Sequence, residues 1–315
     1  MCLVTNSRRN SEKNRETRAN RNKQRYQDKK QLAMPDSHYG PKCNQPDLDE
    51  TAPGEFEARK QALLNSLILS ESEREAIRRD TALEKDLWFE ARKGNITASY
   101  VHGIITMKKT TSGAKMVDRI LYDAGKDLDL EALHYGKVHE ALAISQYEKE
   151  MGCKVTHPTG LIVHKDYPFI AATPDGIVSG DLILEVKCPK VAEKRSITSL
   201  AKGEDKLKSF YLDENLKLKR THQYFSQVQC QLACTGAQCC DFYVWSPNGE
   251  AVRDRSYFDA EFWASRVNKL ELFFYECLLP EKVDPGKCRS MAVRERVSYT
   301  PRPEPALGSF KRKHA

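Results

Sequence analysis

The sequence predicts an α/β fold in which a mixed central β-sheet is flanked by α-helices, with polar tails at both ends. Three observations carry this reading. Apolar residues recur at helical spacing as far as residue 151, give way to short β-branched runs between 161 and 188, and return to a helix–strand–helix pattern between 223 and 279. Residues 1–55 and the stretch beyond about Pro285 are polar, charged and proline-punctuated, a composition that cannot bury enough surface to fold. The expected organisation is a basic disordered tail over 1–55, one folded domain over 56–285 and a flexible basic tail over 286–315.

Each element has a local justification. Residues 71–95 are rich in helix formers and close on Gly94 and Asn95, which predicts one helix with a glycine stop. Thr97 offers an N-cap for a helix over 98–105. Over 130–151, Leu133, Gly136, Glu140, Ile144 and Tyr147 fall on one helical face, and Gly152 ends the run. Residues 161–165, 168–173 and 182–188 are short, β-branched and separated by turn signals at Pro158–Gly160 and Ser179–Asp181, and are expected to be three strands of one sheet. A lysine-rich connection over 190–220 carries nine basic and five acidic side chains and reads as a solvated loop able to reach a DNA backbone. A helix (223–236), a strand (241–246) and a last helix (259–279) before Pro280 complete the domain. The aromatics of that last helix recur at helical spacing and belong to the core.

Charge and composition exclude several classes. The formal charge of the chain is +7, and residues 1–30, with ten basic and three acidic side chains, account for all of it. The remainder is balanced, so nucleic-acid affinity in the folded part has to come from a local patch. The tail reads as a source of salt-sensitive DNA affinity or, with Lys311, Arg312 and Lys313, as a nuclear address. The most apolar run, Leu270 to Leu279, is broken by Glu271 and Glu276, so no membrane span or membrane partner is expected. The start lacks the apolar stretch of a secretory signal, so the expected location is intracellular, nuclear in a eukaryote, with ten cysteines kept mostly as thiols.

The chemistry concentrates around residues 182–188. Side chains on a strand alternate, so Leu182, Leu184 and Val186 point one way and Ile183, Glu185 and Lys187 the other. A carboxylate and an ammonium therefore share one face of an otherwise apolar strand. Pro174-Asp175-Gly176 ends the preceding strand, and antiparallel pairing across that hairpin brings Asp175 beside Glu185. Two carboxylates there suit Mg²⁺ or Mn²⁺, with Lys187 placed to orient or deprotonate a water. The alternative is a Glu185–Lys187 salt bridge at a sheet edge with Asp175 as a turn residue. Glu140, on the apolar face of its helix, needs a cation or partner. Gln223, Gln227 and Gln231 form a polar row beside Tyr224, Val228 and Leu232, able to line a cleft.

The successive blocks WFEARKGNITAS, GKVHE, TPDG, LEVKCP and HQYFSQVQCQL resemble those of the YqaJ-type viral recombinase family, the lambda-exonuclease-like branch of the PD-(D/E)XK nuclease superfamily, from about residue 84 to 281. The resemblance implies a restriction-endonuclease-like core that digests DNA with Mg²⁺. It implies that Asp175, Glu185, the Val186 backbone carbonyl and Glu140 hold the metal, that Lys187 activates the attacking water, and that Gln227 supports the Lys187 end of the site. It also implies a pocket for a terminal 5′-phosphate at Arg92, Ser99 and Thr173, the last standing where lambda exonuclease has serine. The expected activity is then 5′-to-3′ exonuclease action on linear duplex ends, leaving 5′-phosphate products, in recombination or repair. The expected partners are 5′-phosphorylated linear duplex, a homo-oligomer (a trimer by resemblance) and a strand-annealing protein. A structure- or strand-selective endonuclease of a mobile element or repair pathway is the alternative in the same fold, and a non-catalytic DNA-binding protein is the alternative in another class. The intact Asp175, Glu185 and Lys187 speak against the last.

Remaining features read as structural. Cys230, Cys234, Cys239 and Cys240 do not follow an iron–sulfur ligand spacing and read as buried thiols. Cys188 reads as a packing residue, and no histidine pair, His139 and His222 included, has metal-ligand spacing.

Overall fold

In a computed structural model of the chain, the structure describes residues 52–108, 110–122, 130–203, 210–287 and 293, with the side chains of 130–133 left aside. Both expected tails lie almost wholly outside these residues, as does the 204–209 part of the lysine-rich connection. The chain begins with helices α1 (Pro53–Ser66), α2 (Glu71–Leu83) and α3 (Lys85–Arg92). Pro53 opens α1, so its first turn takes in the last residues that composition assigns to the tail. The single helix expected over 71–95 is two: Ser70 and Glu73 form a capping box at the start of α2, and the chain leaves helical backbone at Glu84. No breaker residue marks that point. The bend lets α2 and α3 pack together against a small sheet, where Ile77, Trp88 and Ala91 cover Leu161, Val163 and Ala171.

The three expected strands divide between two sheets. Strand β1 (Ile96–Thr97) runs into α4 (Ala98–Ile105), followed by α5 (Ala114–Leu121) and the long α6 (Leu130–Met151). Strands β2 (Ile162–Val163) and β3 (Ile170–Ala172) join β1 in the order β1-β3-β2, with β1 parallel and β2 antiparallel to β3. The expected third member, β5 (Leu182–Lys187), lies instead in a four-stranded sheet with β4 (Gly176–Ser179), β6 (Cys239–Trp245) and β7 (Ala251–Tyr257), in the order β4-β5-β6-β7. Pro174 stands between β3 and β4, where a residue with no N–H cannot continue a ladder. β5 and β6 are parallel and the outer pairs antiparallel, so the sheet is mixed as expected. Strand β7 was not anticipated, because three charged residues in seven hide its apolar alternation.

The large sheet is covered on both faces. α6 packs Ala143, Ile144 and Tyr147 against Leu184, Val186, Tyr243 and Trp245. On the opposite face, α8 (Gln223–Thr235) lays Phe225, Val228 and Leu232 over Ile183, Phe242 and Val244. β6 is buried along its whole length and bonds to α6 at three successive inward positions. Tyr147 donates to Asp241 (2.7 Å), Tyr243 to Glu150 (2.9 Å) and Trp245 to Gln146 (2.5 Å). Asp241, fully buried, also accepts from Arg253 and Arg255, so its charge is paired.

The lysine-rich connection is not a solvated loop over its described part. It contains α7 (Ile197–Lys202) and buries Ile197, Leu200, Phe210, Tyr211, Leu212 and Leu218 beside α8 on the large sheet. Its charges obscure an apolar spine. At the end of the chain, α9 (Ala260–Phe273), capped by Asp259, passes through a wider π turn (Phe274–Leu278) into α10 (Leu279–Val283). Pro280 thus falls in the first turn of α10 rather than after the last helix. Trp263, Phe273 and Phe274 are core residues, as their spacing predicts. No helix among the described residues is long and apolar enough to cross a membrane.

One turn fixes the small sheet against α2. Gly160 has a φ of +74°, and an added Cβ would lie 1.8 Å from the carbonyl oxygen of Arg78. Beside it, the Leu161 N–H donates to Thr81 Oγ1 at 2.8 Å. Gly160→Ala is expected to lower stability by at least about 2 kcal/mol, read as a drop in Tm of at least about 5 °C in thermal unfolding. An unchanged Tm would contradict this packing.

Candidate active site

The site is assembled where β5 outruns β4. Gly176 pairs with Leu184, and continuing that antiparallel register sets Asp175 level with Glu185, as the hairpin predicts. Glycine at 176 makes room for Val155, since a Cβ there would come within 2.3 Å of Val155 Cγ1 and force that side chain to shift. The turn before it is tied down by the buried Thr159, whose hydroxyl donates to the Pro174 carbonyl at 2.7 Å. The Val186 N–H donates to Asp175 Oδ2 at 2.7 Å, so the aspartate takes the place of a ladder partner beyond the end of β4. A strand residue directs its N–H and C=O to the same side, so the Val186 carbonyl faces the Asp175 side as well.

Glu185 and Lys187 share the α8 face of β5, as the alternation requires. Glu185 is 1% exposed, and its carboxylate accepts from three side chains. Lys187 and Gln227 both donate to Oε1, the glutamine at 2.6 Å, and Gln231 donates to Oε2 at 2.6 Å. The Lys187 ammonium also lies 4.7 Å from the centre of the Tyr224 ring. Burial disfavours the ammonium, but the nearby Glu185 and Asp175 charges outweigh it and hold the Lys187 pKa above the usual lysine range. The salt bridge considered from sequence is therefore present, and it forms one part of a larger cluster.

Three carboxylates crowd this point. Burial, and then the charge of Glu185, push the Asp175 pKa well up. Glu140, half-buried on α6, is raised by burial and by the same neighbour. No three His, Cys, Asp or Glu side chains among the described residues close a coordination shell by themselves. A hard divalent ion that keeps several waters needs only one or two carboxylates, and a surplus of buried negative charge next to a strand carbonyl fits that kind of ion. Cys188, packed against the α6 side of the sheet, has its thiol pushed up to about 12, chiefly by burial, which suits a packing residue and not a nucleophile. Cys230 and Cys234 point to the α4 side of α8, whereas Cys240 points into the core under α8. His222 caps α8, its Nδ1 accepting from the Tyr224 N–H.

The second cluster lies two residues away along the chain. The parallel register of β1 and β3 pairs Thr97 with Ala171, just before Thr173, while Ser99 stands in the first turn of α4 with its hydroxyl 3.2 Å from that of Thr97. Trp88 Nε1 donates to Thr173 Oγ1 at 3.0 Å, and the Arg92 guanidinium stacks 4.2 Å from the Trp88 ring centre. Burial lowers the Arg92 pKa, and among the described residues no carboxylate pairs with it. Arg92 and Thr173 are thus linked through Trp88, which sequence reasoning missed, whereas Ser99 bonds to Thr97 and not to either of them. An exposed-looking tryptophan four residues before Arg92 was the available signal. Gln231 was visible as part of a polar row and Tyr224 as part of the apolar row beside it, without a partner that spacing could name.

Residues 87–238 match the model of the YqaJ-like viral recombinase domain. The family resemblance read from the sequence is thus met over this stretch. The protein is similar to an alkaline exonuclease from Laribacter hongkongensis, at 27% identity and a TM-score of 0.49. It is likewise similar to that exonuclease in complex with dAMP, at 26% identity and a TM-score of 0.50. Each comparison covers 63% of this chain and 94% of the other. A phage-related exonuclease from Haemophilus somnus 129PT is similar at 14% identity and a TM-score of 0.40, over 62% of this chain and 93% of that one. No curated protein matches the chain. The mixed α/β core is the restriction-endonuclease-like one expected from sequence.

Proposed function

We propose that the protein is a divalent-metal-dependent exodeoxyribonuclease that digests linear duplex DNA from 5′-phosphorylated ends in the 5′-to-3′ direction. The observation that carries this reading is the adjacency of two clusters. A carboxylate–lysine group at the end of β5 begins at Asp175, and an arginine without a carboxylate partner among the described residues is linked through Trp88 to Thr173, two residues earlier. The similar exonuclease solved with dAMP supports a deoxynucleotide substrate.

Asp175, Glu185, the Val186 carbonyl and Glu140 would hold Mg²⁺ or Mn²⁺. When bound, the ion polarises the scissile phosphate and lowers the pKa of a coordinated water. Lys187, fixed by Glu185 and the Tyr224 ring, orients the attacking water and stabilises charge that develops on the phosphate. Gln227 keeps Glu185 in place at the Lys187 end. Arg92, Ser99 and Thr173 bind the terminal 5′-phosphate, and guanidinium geometry favours a phosphate dianion over a hydroxyl. The products are 5′-phosphate and 3′-hydroxyl ends. The catalytic domain spans 56–285, flanked by basic tails.

The test presents the purified protein with linear 5′-phosphorylated, linear 5′-hydroxyl and covalently closed circular duplex, with Mg²⁺ or with chelator. Mg²⁺-dependent loss of the phosphorylated linear duplex, slower loss of the hydroxyl form and an intact circle are expected. A degraded circle would move the assignment to an endonuclease, and no metal-dependent cleavage of any DNA would remove the nuclease site proposed here.

A further inference from the structure

One side chain of the α8 polar row has no role in the mechanism above. Gln231 is fully buried, and its Nε2 donates to Glu185 Oε2 at 2.6 Å. Its other amide atom, Oε1, is buried and has no hydrogen-bond partner among the described residues. A buried amide left with an orphan oxygen is costly, so among the described residues the bond to Glu185 is what sets its orientation. One helical turn away, Gln227 donates to Glu185 Oε1 at 2.6 Å. Two amides at i and i+4 of one rigid helix therefore grip both oxygens of one carboxylate, while Lys187 bonds only Oε1.

We infer that Gln231 is a positioning residue for metal binding: it fixes the plane of the Glu185 carboxylate and so selects which lone pairs of Oε2 remain for a divalent ion. Gln227 and Lys187 cannot do this alone. Both act on Oε1, and a carboxylate held at one oxygen can still turn about its Cγ–Cδ bond. Gln231 works through Glu185 and does not itself contact the ion. The neighbouring Gln229 supplies an internal comparison. It is equally buried on the same helix, yet it bonds the Tyr257 carbonyl and the Asp259 N–H, which is the work of a packing residue.

This inference rests on the proposal that Glu185 and Asp175 hold the metal, and the experiment separates the two. Mn²⁺ is titrated calorimetrically into the full-length wild type, Gln231→Met, Gln229→Met and Asp175→Asn. Gln231→Met, nearly isosteric but without the donor, is expected to bind Mn²⁺ at least about tenfold more weakly, the effect typical of losing an outer partner of a metal ligand. Gln229→Met should lower Tm without changing the Mn²⁺ affinity of the folded protein. Wild-type affinity in Gln231→Met, or an equal loss in Gln229→Met, overturns the inference. Wild-type affinity in Asp175→Asn overturns the metal-site reading instead. A measurement without substitutions covers the case in which Gln231→Met does not fold. In the ¹⁵N-glutamine-labelled wild type, the Gln231 and Gln227 side-chain amide signals should move on adding Mg²⁺ while that of Gln229 stays; a stationary Gln231 signal rejects the positioning role.

Discussion

Asp175→Asn is expected to cleave linear duplex at less than about one-thousandth of the wild-type rate, measured in single turnover at saturating DNA and Mg²⁺. The substitution keeps the size of the side chain and an oxygen that can accept from the Val186 N–H, so β4 and β5 stay in register. What it removes is the charge that faces Glu185 and Glu140 from the turn. The Lewis-acid contribution of a bound divalent ion is several kcal/mol, and about 4 kcal/mol corresponds to the thousandfold loss. DNA affinity measured without cleavage should be nearly unchanged, because phosphate contacts elsewhere supply it. Retention of more than a tenth of the rate would mean that Asp175 is only the turn residue the blander sequence reading allowed.

Arg92→Ala is expected to lower kcat/KM on 5′-phosphorylated ends by roughly 10- to 100-fold while leaving 5′-hydroxyl ends nearly unaffected. A hydrogen bond to a charged group contributes about 1.5–3 kcal/mol, and Arg92 offers its charge to the pocket with no carboxylate among the described residues to compete for it. Removing the guanidinium also frees the Trp88 ring, but Trp88 keeps its bond to Thr173, so the pocket should survive the change. An equal loss on both kinds of end would place Arg92 in general DNA binding and reject the phosphate pocket.

The two clusters were legible in the sequence to different depths. Glu185 and Lys187 follow from alternation on one six-residue strand, and Asp175 from a turn one register step away, so short-range geometry alone places them. Glu140 was visible only as a carboxylate on an apolar helical face. Arg92, Ser99 and Thr173 carried no local signal; their grouping came from the family resemblance, and the structure links Arg92 to Thr173 through Trp88, 85 residues from Thr173. The connection over 190–220 misled because, over its described part, charged residues such as Lys194, Arg195 and Lys202 are exposed while the apolar ones between them pack on α8 and β6.

By itself, then, the sequence determined the α/β class and the strand that carries Glu185 and Lys187, because periods of 2.0 and 3.6 residues are written in neighbouring side chains. It also determined the order of the blocks that mark the YqaJ-like domain. Tertiary structure alone decided that the strands split into two sheets at Pro174, that α2 and α3 bend at Glu84, and that Gln227 and Gln231 take one oxygen each of Glu185 from 42 and 46 residues away. The reason is physical. Such contacts depend on which buried faces meet, and a buried carboxylate accepts whichever donors the packed helix presents to it.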